Sequence, residues 1–67
     1  MKIGSQIKRL RKSKGINQKK FAALIGLSPI HYNGIESDRR STTIKMLEKI
    51  AAATNTQLVI TFIEKEN

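Results

Sequence analysis

The side chains able to do chemistry in this 67-residue chain are cations and amides rather than nucleophiles or metal ligands. Lys2, Lys8, Arg9, Arg11, Lys12, Lys14, Lys19 and Lys20 all precede residue 36, and no acid accompanies them. From residue 36 onward, Arg39, Arg40, Lys45, Lys49 and Lys65 are balanced by Glu36, Asp38, Glu48, Glu64 and Glu66. The formal charge of +8 therefore sits entirely on the N-terminal half, as expected of a surface that meets a polyanion. Cysteine is absent and His31 is the single histidine, which excludes disulfide scaffolds, zinc fingers, iron–sulfur sites and thiol catalysis. No metal and no cofactor is expected. The scattered acids and the lack of a glycine-rich phosphate loop argue against an enzyme, as does a size too small to enclose a substrate pocket of about 300 Å³.

The elements that must position these groups follow from periodicity and punctuation. The length predicts one domain over residues 1–67 with a thin core. The start, MKIGSQIKRLRKSKG, lacks the apolar run of a signal peptide, and Phe21 to Leu27 is far short of the roughly 20 residues that span a bilayer. A cytoplasmic protein with no membrane partner is the corresponding expectation. Ile3, Ile7 and Leu10 share one face of a first helix at about residues 3–13, with Lys2, Lys8, Arg9 and Lys12 largely outside that stripe. Gly15 suits its C-terminal stop. Asn17 is a good N-cap for a second helix at about 18–25, which offers Phe21, Leu24 and Ile25 inward before Gly26 ends it. Ser28 followed by Pro29 opens a third helix at about 29–36, because proline sets φ and its missing N–H would be unbonded there anyway. Gly34 within that helix costs about 1 kcal/mol against alanine and predicts a frayed C-terminal half. A fourth helix at about 43–53 places Ile44, Leu47, Ile50 and Ala51 on one face.

Residues 57–63 change character. Leu58, Val59, Ile60, Thr61, Phe62 and Ile63 are β-branched or aromatic apart from Leu58, and read as a strand, with a short fifth helix as the alternative. A lone strand leaves its ladder groups unpaired, so these six residues predict a two-stranded antiparallel ribbon between two copies, hence a homodimer.

Residues 18–36, QKKFAALIGLSPIHYNGIE, describe two short helices joined by about three residues. Such helices cross steeply, with Ala22 and Gly26 small enough for close approach and Phe21, Ile25, Leu27, Tyr32 and Ile35 as the interior. Tyr32 is expected in the core with its hydroxyl at the surface. A second helix projecting from this corner can enter a major groove about 12 Å wide.

The stretch resembles the phage-repressor (Cro/XRE-type) helix-turn-helix family. Gln18 opens helix 2, Phe21-Ala22 takes the apolar-Ala pair, and Ile25-Gly26-Leu27-Ser28 matches the turn. Ile35-Glu36 closes helix 3, and Leu47-Glu48-Lys49-Ile50-Ala51 is similar to the family's helix 4. The resemblance covers roughly residues 3–53. It implies a mainly α fold, a compact four-helix lambda-repressor-like domain to which one C-terminal β-strand is added. It also implies that Asn17 and Gln18 contact phosphate, and that Arg11 pairs with Glu36 near the DNA backbone. The family's main base-reading positions fall on Pro29, Ile30 and Gly34, none of which offers a hydrogen-bonding side chain. Direct readout then leans on Ser28, His31 and Asn33, with Ile30 available to a thymine methyl. Lys8, Arg11, Lys12, Arg39 and Arg40 would carry phosphate or groove contacts.

The expected function is a sequence-specific double-stranded DNA-binding transcriptional regulator, a repressor working as a homodimer on a palindromic operator. The C-terminal strand is similar to antitoxin-type members, which makes a toxin protein a further candidate partner; a free-standing phage or mobile-element regulator is the alternative. The rival from another class is a basic module that binds RNA or protein without operator specificity. It lacks the free aromatic platforms that single strands require, since Phe21, Tyr32 and Phe62 occupy core-like positions.

Overall fold

The computed structural model describes residues 3–66. Lys2, assigned above to the polar face of the first helix, and the two terminal residues of the expected domain lie outside them. Four helices follow in order: α1 (Gly4–Ser13), α2 (Gln18–Leu24), α3 (Pro29–Glu36) and α4 (Ile44–Ala53). Asn17 caps α2 by accepting from Lys20 N–H, Ser28 caps α3 by accepting from His31 N–H, and Thr43 caps α4 by accepting from Met46 N–H. Each supplies an oxygen to an amide that the first turn leaves unbonded.

All four helices end in the same backbone device. The residue after the C-cap turns left-handed, and its amide and the next one return to the last carbonyls of the helix. At α1 this residue is Gly15 and at α2 it is Gly26. At α3 and α4 it is Asp38 (φ 61°) and Asn55 (φ 55°), the side-chain types that tolerate this region best after glycine. At the end of α3, Asp38 N–H donates to Ile35 C=O at 3.2 Å and Arg39 N–H to Gly34 C=O at 2.9 Å. The C-terminal half of α3 is thus closed rather than frayed, and Gly34, Ile35 and Glu36 are all buried.

Ile7, Phe21, Ala22, Ile25, Tyr32, Ile35, Leu47 and Ile50 form one core. The Phe21 and Tyr32 rings meet at its centre, 5.3 Å apart and tilted by 58°. Three expectations of inward-facing residues fail, at Phe62, which is fully exposed beyond the last helix, and at Leu24 and Ile44. Leu24 is 55% exposed, because at about 100° per residue the inner stripe of α2 centres between Phe21, Ala22 and Ile25 and leaves Leu24 at its edge. Ile44 is 59% exposed, since it opens α4 a turn before Leu47 reaches the core.

The expected strand at 57–63 is not present: no strand occurs among the described residues, and no fifth helix follows α4. A strand is defined by its partner, and within one chain nothing offers Leu58–Ile63 a ladder. Leu58 packs against the core, whereas Val59, Ile60, Phe62 and Ile63 are exposed. The segment walls an open groove of about 720 Å³ against α1 and α4, lined among others by Ile3, Leu10, Ile44, Leu58 and Ile60.

The amino end of α1 is fixed from a distance. Ile3 has no side-chain oxygen to cap the helix, and the Gly4 N–H instead donates to Asp38 Oδ1 at 3.0 Å. A carboxylate there also meets the positive end of the helix dipole. Gly4 is buried against the last turn of α3, where a Cβ would lie 2.6 Å from the Ile35 carbonyl oxygen and closer still to that of Glu36.

Candidate nucleic-acid interface

The outer stripe of α3 is built from Pro29, Ile30 and Asn33 and is continued by Ser37 at its C-cap. Tyr32, Gly34, Ile35 and Glu36 face inward. Ile30 is 82% exposed, a large apolar side chain that serves no packing role in this chain. Behind the stripe, Arg11 and Glu36 form a buried pair, with Arg11 Nε to Glu36 Oε2 at 2.6 Å and Arg11 Nη2 to Glu36 Oε1 at 3.3 Å. Arg11 Nη1 also donates to the Ile16 carbonyl at 2.7 Å, so one guanidinium joins α1, the α1–α2 connection and α3. Burial opposes the charge on Glu36, but the hydrogen bonds from Arg11 and Gln18 outweigh it and hold its carboxyl below the ordinary carboxylate value. The Arg11 pKa is raised in turn, chiefly by its hydrogen bond to Glu36. Tyr32 is fully buried and its hydroxyl has no hydrogen-bond partner among the described residues, which corrects the expectation that it reaches the surface. Burial pushes this hydroxyl far above its usual pKa, and the neighbouring Glu36 carboxylate adds to the effect.

From Glu36 a line of polar side chains runs outward. Gln18 Nε2 donates to Glu36 Oε1 at 2.8 Å, and Asn33 Nδ2 donates to Gln18 Oε1 at 3.3 Å. Arg39 Nη2 donates to Asn33 Oδ1 at 2.8 Å, and Arg39 Nε donates to Ser37 Oγ at 3.0 Å. The structure thus joins Gln18, Asn33 and Arg39 directly. Arg40 stands beside them, its stem lying across Gly34, where an added Cβ would fall 2.9 Å from Arg40 Cδ. Ser28 and Asn17 are occupied as caps, His31 is half-buried, and Pro29 and Ile30 form the exposed tip of α3. Lys8 and Lys12 are exposed along α1, apart from this line, with Arg9 and Lys14.

Sequence reasoning missed Asp38 and Gly4, which hold α1 against α3, and the internal bonds of Gln18. The signal for Asp38 was its residue type just beyond the end of a helix; for Gly4, it was a poor helix former in a first turn. Among the described residues no His, Asp and Glu cluster could hold a metal ion, and no helix is long and apolar enough to cross a membrane.

The two short helices α2 and α3, which meet at Phe21 and Tyr32 and of which α3 is capped by Ser28 and exposed along its outer stripe, have a counterpart at family level. Residues 7–60 fit the family described as helix-turn-helix. The chain belongs to that family. Its members are DNA-binding transcriptional regulators. This helix-turn-helix protein is 39% identical over 69 residues to the control protein C.MunI of Mycoplasma sp, a match covering 98% of this chain and 93% of the relative. It is 40% identical over 58 residues to the plasmid copy control protein CopR of Streptococcus agalactiae, covering 85% of this chain and 63% of that relative. Its fold is similar to the crystal structure of the restriction-modification controller protein C.AhdI from Aeromonas hydrophila. That comparison has a TM-score of 0.78 and 30% identity, and covers 84% of this chain and 85% of the other.

Proposed function

We propose that this helix-turn-helix protein is an operator-binding repressor that acts as a homodimer and controls a restriction-modification gene set. The observation that carries the reading is the outer stripe of α3, where exposed Ile30 and half-buried Asn33 are flanked by Arg39 and Arg40. Each subunit would place α3 in the major groove of one half-site, with half-sites about 34 Å apart. Gln18 and Asn17 at the start of α2, Ser28 and Pro29 at the tip of α3, and His31 beside it would meet phosphate or base edges; Lys8, Lys12, Arg39 and Arg40 would add to the field that attracts DNA. Arg11, buried and paired with Glu36, would instead hold α1 against α3 behind that surface. The biological setting is supported by the near full-length similarity to one control protein and the fold similarity to a restriction-modification controller. Similarity to a plasmid copy control protein supports a second setting, the regulation of replication.

The dimer would form through residues 57–63. Val59, Ile60, Phe62 and Ile63 expose more apolar surface than an isolated chain has reason to, and paired with a second copy they would gain both a ladder and a cover. Truncation after Thr56 is expected to turn a dimer into a monomer in sedimentation and to remove most of the DNA affinity; a truncated chain that still sediments as a dimer refutes this interface.

The regulator reading is tested by titrating the protein onto its own upstream promoter DNA and onto a scrambled duplex, at two salt concentrations. Promoter binding roughly 10³-fold tighter, and weakening steeply with salt, is expected. Equal binding to both duplexes, or to single-stranded RNA, would refute operator recognition.

A further inference from the structure

We infer that Asn33 selects adenine in the major groove, with its amide held in a single orientation by hydrogen bonds on both sides. The inference rests on the DNA-binding reading above and assigns the base that one side chain reads. The polar line through Asn33 starts at a group that can only accept, the Glu36 carboxylate, and ends at one that can only donate, the Arg39 guanidinium. Glu36 Oε1 takes the Gln18 Nε2–H, so Gln18 presents its Oε1 on the other side. That oxygen takes Asn33 Nδ2–H, which leaves Asn33 Oδ1 to accept from Arg39. Reversing the Gln18 amide would set its oxygen against the carboxylate. Reversing the Asn33 amide would set nitrogen against guanidinium and oxygen against oxygen. The direction of both amides is therefore fixed by the two ends of the line.

Each end of the Asn33 amide still has capacity. Oδ1 keeps a second lone pair and Nδ2 a second proton, and Asn33 lies on the outer stripe of α3, one turn beyond the exposed Ile30. Adenine presents an N6–H donor beside the N7 acceptor, which an acceptor–donor pair meets bidentately. Guanine presents two acceptors and would set its O6 against Oδ1, and an amide pinned on both sides cannot turn to accommodate it. Gln18 and Arg39 are in this respect positioning residues, acting through Asn33. Arg39 is itself held by Ser37 Oγ, which donates to the Asn33 carbonyl at 2.9 Å.

The test is enrichment of bound duplexes from a randomised DNA library by the full-length protein, Asn33→Ala and Gln18→Leu, with circular dichroism to verify that each variant is folded. The wild type is expected to enrich a two-fold motif with one position per half-site at which adenine is favoured by roughly 5- to 150-fold, the discrimination of a good bidentate pair. Asn33→Ala abolishes the preference at that position and leaves the others unchanged. Gln18→Leu, which removes one of the two restraints and leaves only the bond from the exposed Arg39, brings guanine up towards adenine there, a change that a purely structural role of Gln18 would not produce. A motif enriched identically by the wild type and Asn33→Ala overturns the inference and leaves the regulator reading standing. Unchanged adenine preference in Gln18→Leu overturns the fixed orientation. A wild type that enriches no motif overturns both readings.

Discussion

Replacing Gly4 with alanine is expected to destabilise the protein by at least about 3 kcal/mol, beyond the usual range for one added methyl group. The new Cβ would overlap the backbone carbonyls of Ile35 and Glu36, which form the last turn of α3 and cannot rotate away as a side chain does. Relief requires α1 to lift from α3, and this would also break the Gly4 N–H bond to Asp38 and loosen the Arg11–Glu36 pair between the same two helices. In a domain of this size about 1 kcal/mol moves the melting temperature by roughly 4–8 °C, so a fall of about 12–24 °C or more is expected in a thermal melt. Gly15→Ala is the control. No atom lies within 4 Å of the added group there, and only the left-handed backbone (φ 69°) is penalised, by about 1–2 kcal/mol. Equal losses at the two sites would show that the close approach of α1 to α3 is not needed.

The second large effect concerns the buried ion pair. Arg11→Met is expected to lose about 3–5 kcal/mol, because it leaves the Glu36 carboxylate buried with Gln18 as its remaining hydrogen-bonded side-chain partner. The double substitution Arg11→Met with Glu36→Met should lose less than Arg11→Met alone, since it leaves no uncompensated charge. Urea denaturation of the wild type and these two variants measures both differences, and a double variant weaker than Arg11→Met would contradict the account. The pair also sets a pH dependence. The Glu36 carboxyl in the folded protein lies below its ordinary value of 4.5, so the unfolded chain takes up a proton at higher pH than the folded one does. The stabilisation is therefore complete above 4.5 and is lost as the pH falls below it through the lower folded value. Wild-type stability should drop over this acid range more steeply than that of Glu36→Gln, which has no carboxyl to protonate.

The parts of this molecule that local chemistry controls were legible in the sequence. Asn17, Ser28, Gly15 and Gly26 mark helix ends because capping and left-handed turns depend on the residue at that position. The pairing of Arg11 with Glu36 was visible only through the family resemblance, since 25 residues separate the partners and no periodicity connects them. Contacts that depend on how helices seat were not legible. The Asp38 link to Gly4 spans 34 positions, and the edge position of Leu24 depends on the rotation of α2 against its neighbours. Gly34 was read as a weak point in α3, whereas the stem of Arg40 lies where a larger residue would sit. Within the candidate site, residue types indicated which side chains could face DNA but not that three of them bond to one another. Residues 57–63 have strand-forming composition, but composition cannot supply a second strand.

The remote cap on α1 bears on the order in which the chain assembles. A ten-residue helix is marginal on its own, and this one has neither a capping side chain nor an acid in its first turn. Its end is secured only when Asp38 arrives, and Asp38 is in place only after α3 has closed its final turn with bonds to Gly34 and Ile35. The loop to be closed spans more than half the chain, so the entropy of closure falls on this step. The first helix in chain order is therefore among the last to be secured, and the helix that would read DNA is also the template on which it settles.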